Sequence, residues 1–312
     1  MDLHRKLGTA FQSFLLAALL FAGIAVKGYS QQSAFKPAPA NPSFVEYMQR
    51  VETQGLTAAP QTAGGYGLGY IPSPIDFSYL RGKRIFPQEK DFSILAFPTT
   101  YDLRTLGRLT PVRNQGIHGT CWAFATYGSL ESWLLTDEVA EWNFSENNLA
   151  NLHGWDLDGF LDGGLVQMAI AYLTRWSGPV NEADDTYDAA GNSRIGASTG
   201  SETVQKHVQQ VLVLPPRDNP LDNDNIKDAV TNYGGVYTSM YMEYPSVYYD
   251  ETNDAYYYDG AVDSNHAVVI VGWDDDFDKT KFDTEPAGNG AFIVRNSWGS
   301  AWGEGGYFYI SY

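Results

Sequence analysis

Cysteine is nearly absent: Cys121 is the one thiol in 312 residues. An intrachain disulfide is therefore excluded, and so is any zinc or iron–sulfur centre built from cysteines alone. Positive charge is also scarce, with 20 Lys and Arg against 37 Asp and Glu and a formal net charge of −17. That balance argues against nucleic acid or an anionic membrane surface as a partner. The apolar run Phe14–Val26 is 13 residues long, short of the ~20 that a bilayer-spanning helix needs. No internal repeat is visible. What remains is substantial: 44% hydrophobic residues, with 16 Phe, 21 Tyr and 8 Trp. A core of that size excludes wholesale disorder, and the length fits one or two domains.

The charge is unevenly placed. Residues 1–96 carry a net +3 and residues 97–312 a net −20, an acidic surface that favours a soluble monomer. Residues 1–30 have the layout of a secretory signal peptide. His4, Arg5 and Lys6 precede the apolar run, and Gly28 and Ser30 offer small residues before a cut after Ser30. An extracellular or periplasmic destination follows, with no membrane contact beyond the export signal. Residues 31–96 are rich in Pro and Gly, with Pro37, Pro39, Pro42 and Pro60 followed by Gly64, Gly65, Gly67 and Gly69. Only Ser43–Val51 has helical spacing, so this stretch reads as a linker or as a segment lying across another domain.

From Phe97 the sequence becomes dense. Cys121–Leu135 and Leu165–Trp176 read as helices, the first mostly apolar and hence buried. A polar helical stretch is expected around His207. After Gly234-Gly235, the runs VYTSMYM, HAVVIVGW, GAFIVRNSW and GYFYISY are strand-like. Helices followed by strands indicate an α+β fold.

Cys121 follows a glycine-bearing turn and opens the first long helix. Unpaired N–H groups and the positive end of the helix dipole would lower its pKa there. A nucleophilic thiol needs a base. Of five histidines, His4 lies in the leader, His207 reads as solvated and His153 as structural or surface. His118 and His266 remain, and His266, opening a strand after a polar loop, is weighted above His118. An imidazole base also needs an orienting group, and Asn296 ends an apolar strand.

Three stretches together resemble the papain-type cysteine peptidases. They are Asn114-Gln-Gly-Ile-His-Gly-Thr-Cys-Trp-Ala-Phe124, Asn265-His-Ala-Val-Val-Ile-Val-Gly-Trp273, and Asn296-Ser-Trp-Gly299 with Trp302-Gly-Glu-Gly-Gly-Tyr307. Tyr101-Asp-Leu-Arg104 and Pro111-Val112 resemble the family's mature start. The resemblance runs over residues 97–312 and implies a two-lobed fold, a helical half (115–225) against a β-barrel-like half (230–312), with the active site between them. It implies Cys121 as nucleophile, His266 as acid and base, Asn296 as its orienter, and Gln115 with the Cys121 N–H as oxyanion hole. Gly163 and Gly164 would line the substrate backbone, Trp298 would shield the His–Asn bond, and Trp302 would lie on the leaving-group side. No cofactor is implied, and the substrate would be a protein or peptide. Residues 31–96 would cover the cleft until removed.

The departures are also plain. His118 stands where these enzymes usually have a first cysteine, Thr120 replaces a serine, and the family's disulfides are absent. The N-terminal segment and Arg175-Trp-Ser-Gly-Pro-Val180 resemble the prokaryotic branch that often carries lectin-like modules. Two other classes stay open: a binding or adhesive protein keeping the fold without turnover, and a thiol acyltransferase. Asp274, Asp276 and Asp278 alternate as in a calcium loop but lack its sixth-position Gly and twelfth-position Glu, so they read as a solvated loop. Nine tyrosines crowd Tyr233–Tyr258 and read mainly as sheet packing.

Overall fold

The structure, a computed structural model, describes residues 38–55, 57–86, 97–138, 140–189 and 198–312. The leader expected over residues 1–30 lies outside the described residues. Residues 39–312 form a single unit.

Helix α1 (Pro42–Gln54) contains the predicted Ser43–Val51. The Asn41 side chain accepts the Ser43 N–H, Pro42 occupies the first turn, and Gly55 at φ 81° ends the helix. Strand β1 (Thr100–Asp102) precedes α2 (Cys121–Asp137), α3 (Glu146–Leu152) and α4 (Val166–Thr174). Helix α2 has no polar face, and Trp122, Ala123, Tyr127 and Leu134 are among its buried residues. It therefore runs through the middle of the molecule and packs on the sheet. At Gly128 an added Cβ would lie 2.9 Å from Val269 Cγ2, so glycine permits that close approach.

Helix α5 (Asp224–Tyr233) is closed by Gly234 at φ 91°, and six strands follow. They are β2 (Val236–Met240), β3 (Tyr249–Asp250), β4 (Ala255–Tyr256), β5 (His266–Asp274), β6 (Ala291–Arg295) and β7 (Tyr307–Ser311). The class is α+β, as the sequence predicts. The sheet runs β1-β5-β6-β7-β4-β3, with β2 pairing the other half of the β5 edge that β1 uses. It is an open path, not a closed barrel. β5 is covered on both faces, which explains its continuous apolar run.

Two local expectations change, and one holds. Residues 203–211 carry no regular structure in place of a helix, and exposed His207 stacks on Trp176 at 4.6 Å. The sheet also begins earlier than residue 230, because Thr100–Asp102 pairs with Asp274–Gly272. Asp274, Asp276 and Asp278 lie in a partly exposed turn, in line with the solvated loop read from the sequence. Asp274 accepts the Asp276 N–H, Asp275 holds Lys227 Nζ at 2.6 Å, and Asp278 caps a short 3-10 helix.

Candidate active site

Cys121 is fully buried at the first position of α2. Its Sγ accepts the Ala267 N–H at 3.3 Å, which sets the thiol against the residue that follows His266. His266, also fully buried, opens β5. Its Nε2–H donates to Asn296 Oδ1 at 2.8 Å, and that same oxygen accepts the Ser297 N–H at 2.8 Å. An imidazole donating from Nε2 keeps its lone pair on Nδ1 when neutral, and Nδ1 is buried without a hydrogen-bond partner. The Trp298 ring lies over His266 at 4.9 Å between centroids, sealing the His–Asn bond from water. Asn296 sits just beyond β6, so two neighbouring strands supply this pair.

His118 goes elsewhere. Its ring is packed edge-on against Phe160 at 5.5 Å and Tyr187 at 6.0 Å, a packing role in place of the alternative base. His153 is buried beside Trp122 and accepts the Trp155 N–H at Nδ1, the structural outcome.

Gln115 is oriented by Ser297, whose Oγ–H donates to Gln115 Oε1 at 2.6 Å. That bond turns the amide nitrogen toward the cleft. There Nε2 donates to two carbonyls, His118 O at 2.8 Å and Leu68 O at 3.3 Å. The expected oxyanion donor is thus already engaged by the N-terminal segment.

The segment's path is fixed by backbone bonds across the site. The Gly67 N–H donates to Gly116 O at 3.0 Å, and Gly67 O accepts Trp298 Nε1–H at 3.0 Å. The Gly69 and Tyr70 N–H groups both donate to Asn265 O, at 3.2 and 3.1 Å. Gly69 O accepts the Gly164 N–H at 2.8 Å, and the Ile71 N–H donates to Gly164 O at 2.9 Å. Gly163 adjoins this bridge at φ 88°, where an added Cβ would meet Gly69 O at 2.3 Å. Tyr66 stacks on Trp298 at 4.7 Å, and Trp302 packs edge-on to Trp298 at 5.0 Å. Gln115, Gly163, Gly164 and Trp298 therefore all touch one strip of chain, as does Asn265, the residue before His266.

Burial sets the electrostatics. It pushes the Cys121 thiol up to about 12, against the lowering effect of the Ala267, Trp122 and Cys121 backbone N–H groups. It pushes His266 down to about 4, opposed by the Asn296 bond. The helix-terminus effect expected for Cys121 is present, but desolvation outweighs it while the segment lies in place. Thiol and imidazole are consequently both neutral in this arrangement.

The papain family cysteine protease profile matches residues 97–312. The chain belongs to that family. Among its papain-family relatives are Testin-2 of Mus musculus, 31% identical over 227 residues (71% of this chain, 63% of the relative), and a viral cathepsin. The latter, from Choristoneura fumiferana nuclear polyhedrosis virus, is 30% identical over 222 residues, covering 68% of this chain and 59% of the relative. The chain thus spans about 60% of the length of these curated relatives. Similar solved structures include the cysteine protease and lectin-like domains of Cwp84, a surface layer associated protein of Clostridium difficile. The TM-score there is 0.69 at 28% identity, over 91% of this chain and 59% of that one. Cwp84 after propeptide cleavage matches at TM-score 0.61 and 32% identity, over 68% and 53%. Both agree with the prokaryotic branch indicated by the sequence.

Several residues that shape the site escape sequence reasoning. Tyr187 donates its hydroxyl to Gln115 O at 2.8 Å and bonds Thr120 Oγ1 at 2.7 Å, tying the loop before Cys121 to a distant turn. Below it, buried Glu131 and Glu146 hold Arg113 at 2.8 and 3.0 Å. Arg295, next to Asn296, donates to Thr110 Oγ1 at 3.1 Å. A carboxylate in the apolar run of α2 was the one available signal, since a buried charge requires a partner.

Proposed function

We propose that the chain is the precursor of an exported cysteine endopeptidase that hydrolyses peptide bonds through Cys121, His266, Asn296 and Gln115. One observation carries the reading. The His266 ring is fixed by Asn296 through Nε2, and its unpartnered Nδ1 is left beside the strand residue whose N–H touches Cys121 Sγ. With the cleft open, the Cys121 proton passes to Nδ1 and sulfur attacks the scissile carbonyl carbon. The carbonyl oxygen becomes an oxyanion held by the Gln115 amide and the Cys121 N–H. Collapse breaks the C–N bond, the Nδ1 proton leaves with the amine, and a thioester remains. Water, deprotonated by His266, then releases the acid and the thiol.

Residues 59–75 keep the precursor silent. They engage the Gln115 amide through Leu68 O, and they use the Gly164 and Asn265 backbone groups that a substrate chain would need. The relatives support this role. The structural match over 91% of the chain must reach into residues ahead of 97, whereas the match to Cwp84 after propeptide cleavage covers 68%. Export rests on the basic start and apolar run of residues 1–30, and is supported by the surface-layer association of Cwp84.

The test is intact-mass spectrometry with an epoxide thiol-peptidase inactivator on the full chain and on Cys121→Ala, before and after the segment is shed. One adduct on the wild type that grows once the segment leaves, with none on the variant, is expected. A thiol that stays unlabelled after the segment leaves would overturn the reading and return the fold to a binding role. Cys121→Ala should also abolish peptide hydrolysis, and Asn296→Ala should retain part of it.

A further inference from the structure

Tyr187 reaches the backbone that carries both oxyanion donors. Its hydroxyl donates to Gln115 O at 2.8 Å. A carbonyl oxygen can only accept, so the single phenolic hydrogen is spent there. The 2.7 Å contact with Thr120 Oγ1 therefore runs the other way, with the threonine hydroxyl donating to the phenolic oxygen. One oxygen atom thus joins two residues. Gln115 supplies the side-chain amide of the oxyanion hole, and Thr120 shares a peptide with the Cys121 N–H.

Thr120 stands at the N-cap of α2, where a threonine hydroxyl ordinarily accepts an N–H of the first turn. Here it makes no such cap bond and is turned to Tyr187. Gln115 is fully buried and held by Ser297 at two points. Its N–H donates to Ser297 O at 2.8 Å, and its Oε1 accepts the Ser297 hydroxyl at 2.6 Å. The peptide that follows is held at its oxygen by Tyr187 and at its nitrogen by Asn114 Oδ1, 2.8 Å from the Gly116 N–H. The Tyr187 ring is fixed independently of its hydroxyl. It stacks on Phe160 at 5.7 Å and meets Phe124 edge-on at 4.9 Å, while the Tyr187 N–H donates to Glu182 Oε1 at 2.7 Å. Phenylalanine would keep these contacts and lose only the bridge. Burial raises the phenol pKa well above its ordinary value, so the hydroxyl stays protonated through the neutral range.

We propose that Tyr187 is a positioning residue for the oxyanion hole, its hydroxyl setting the spacing and angle between the Gln115 amide and the Cys121 N–H. The inference rests on the peptidase reading above. Such donors accelerate a reaction when they are aimed in advance at the place where charge develops. Freeing their backbone therefore weakens the transition state more than the substrate complex. The bridge ends on Gln115 and Thr120, not on the thiol or the imidazole, so the nucleophilicity of Cys121 should not depend on it.

The test compares two reactions of Cys121 in the full chain. Hydrolysis of a peptide amide passes through an oxyanion, whereas alkylation by iodoacetamide displaces iodide from a saturated carbon and forms none. Opening of the segment precedes both, so it cancels in their ratio. In Tyr187→Phe, hydrolysis should slow roughly five- to tenfold, the worth of one neutral hydrogen bond, while alkylation stays within about twofold of wild type. The loss should fall on kcat, with KM little changed. In a Gln115→Ala background the same substitution should cost hydrolysis no more than about twofold, because the donor it steers has gone. Thr120→Val cuts the other arm of the bridge and should lower the ratio of hydrolysis to alkylation in the same direction. An unmoved ratio in either variant would overturn the inference and leave the peptidase reading standing. So would a matching loss in alkylation, or a full effect retained without Gln115. If the wild-type chain alkylates but hydrolyses no peptide, the peptidase reading falls and the inference falls with it.

Discussion

Replacing Gly69 by alanine should expose the catalytic cleft without any cleavage of the chain. At this position a Cβ would stand 2.2 Å from Gly119 O and 2.4 Å from its carbonyl carbon, where ordinary contact begins near 3.4 Å. Backbone lies on both sides, so no side chain can swing away, and roughly 1 Å of separation must open. Overpacking of this kind costs about 1–3 kcal/mol. The residue also sits at φ 130°, where a residue other than glycine costs a further ~1–3 kcal/mol. A combined penalty of about 4 kcal/mol falls on the covered arrangement alone, because the body of the protein does not depend on this contact. At ~1.4 kcal/mol per factor of ten, the open population rises on the order of a thousandfold. The assay is the rate of Cys121 alkylation in the full chain, followed by intact mass, with thermal unfolding of the body measured in parallel. Gly65→Ala is the control: its added Cβ meets nothing within 4 Å but φ is 82°, so strain alone acts and about a tenfold effect is expected. A folded Gly69→Ala protein that alkylates at the wild-type rate would refute the proposal that residues 59–75 cover the thiol.

Acid should loosen the same segment. Burial in the folded protein lowers the His266 pKa from 6.5 to about 4, so the stability that the neutral imidazole contributes is complete above 6.5 and is lost as pH drops toward 4. Cys121, raised to about 12, contributes below its ordinary value and loses that contribution as pH climbs toward 12. Hydrogen exchange at the Gly69 and Ile71 amides, corrected for intrinsic rates, should lose protection below pH 6.5; constant protection down to pH 4 would contradict this. Ser297→Ala removes the bond that orients the Gln115 amide, and kcat of the activated enzyme should drop about tenfold with KM little changed. A change confined to KM would assign Ser297 to substrate binding. Glu131→Ala strips Arg113 of one carboxylate and leaves the Thr110 hydroxyl and Phe144 N–H without their acceptor. A loss of about 3–5 kcal/mol is expected, seen as a melting temperature lower by roughly 10 °C.

The site was largely legible because its chemistry is tied to local signals. A thiol after Gly-Thr at a helix start, a histidine opening a β-branched run and an asparagine closing another are each visible within ten residues. The helix read over Cys121–Leu135, observed as Cys121–Asp137, follows from its apolar run, and the strands from Val236 onward follow from runs of β-branched and aromatic residues. What stayed hidden depends on contacts between distant residues. Nothing near Tyr187 predicts that its hydroxyl reaches Gln115, 72 residues away. That residues 31–96 would lie across the cleft was expected, but the points of contact within residues 59–75 were not legible, because their glycines read equally well as flexible linker. Their purpose appears only against Gly116, Gly119 and Gly163, where the chains touch backbone to backbone. The stretch around His207 misled because its polar run TVQKHVQQV read as helical, whereas stacking of His207 on Trp176 and the bond from the Gln205 N–H to Pro179 O hold it outside any helix.

The Tyr187 hydroxyl joins the Gln115 loop to a turn 72 residues away, and His118, Phe124 and Phe160 close around its ring. Aromatic packing and a neutral hydrogen-bonded bridge thus supply the cross-link at the mouth of the cleft, and neither responds to reducing agents. The chain's one sulfur of thiol type is the candidate nucleophile itself. Thiol–disulfide chemistry therefore has a single address in this protein: a reductant can restore Cys121 but cannot loosen the walls around it. A titration of activity against redox potential would follow one sulfur atom, uncomplicated by the integrity of the fold.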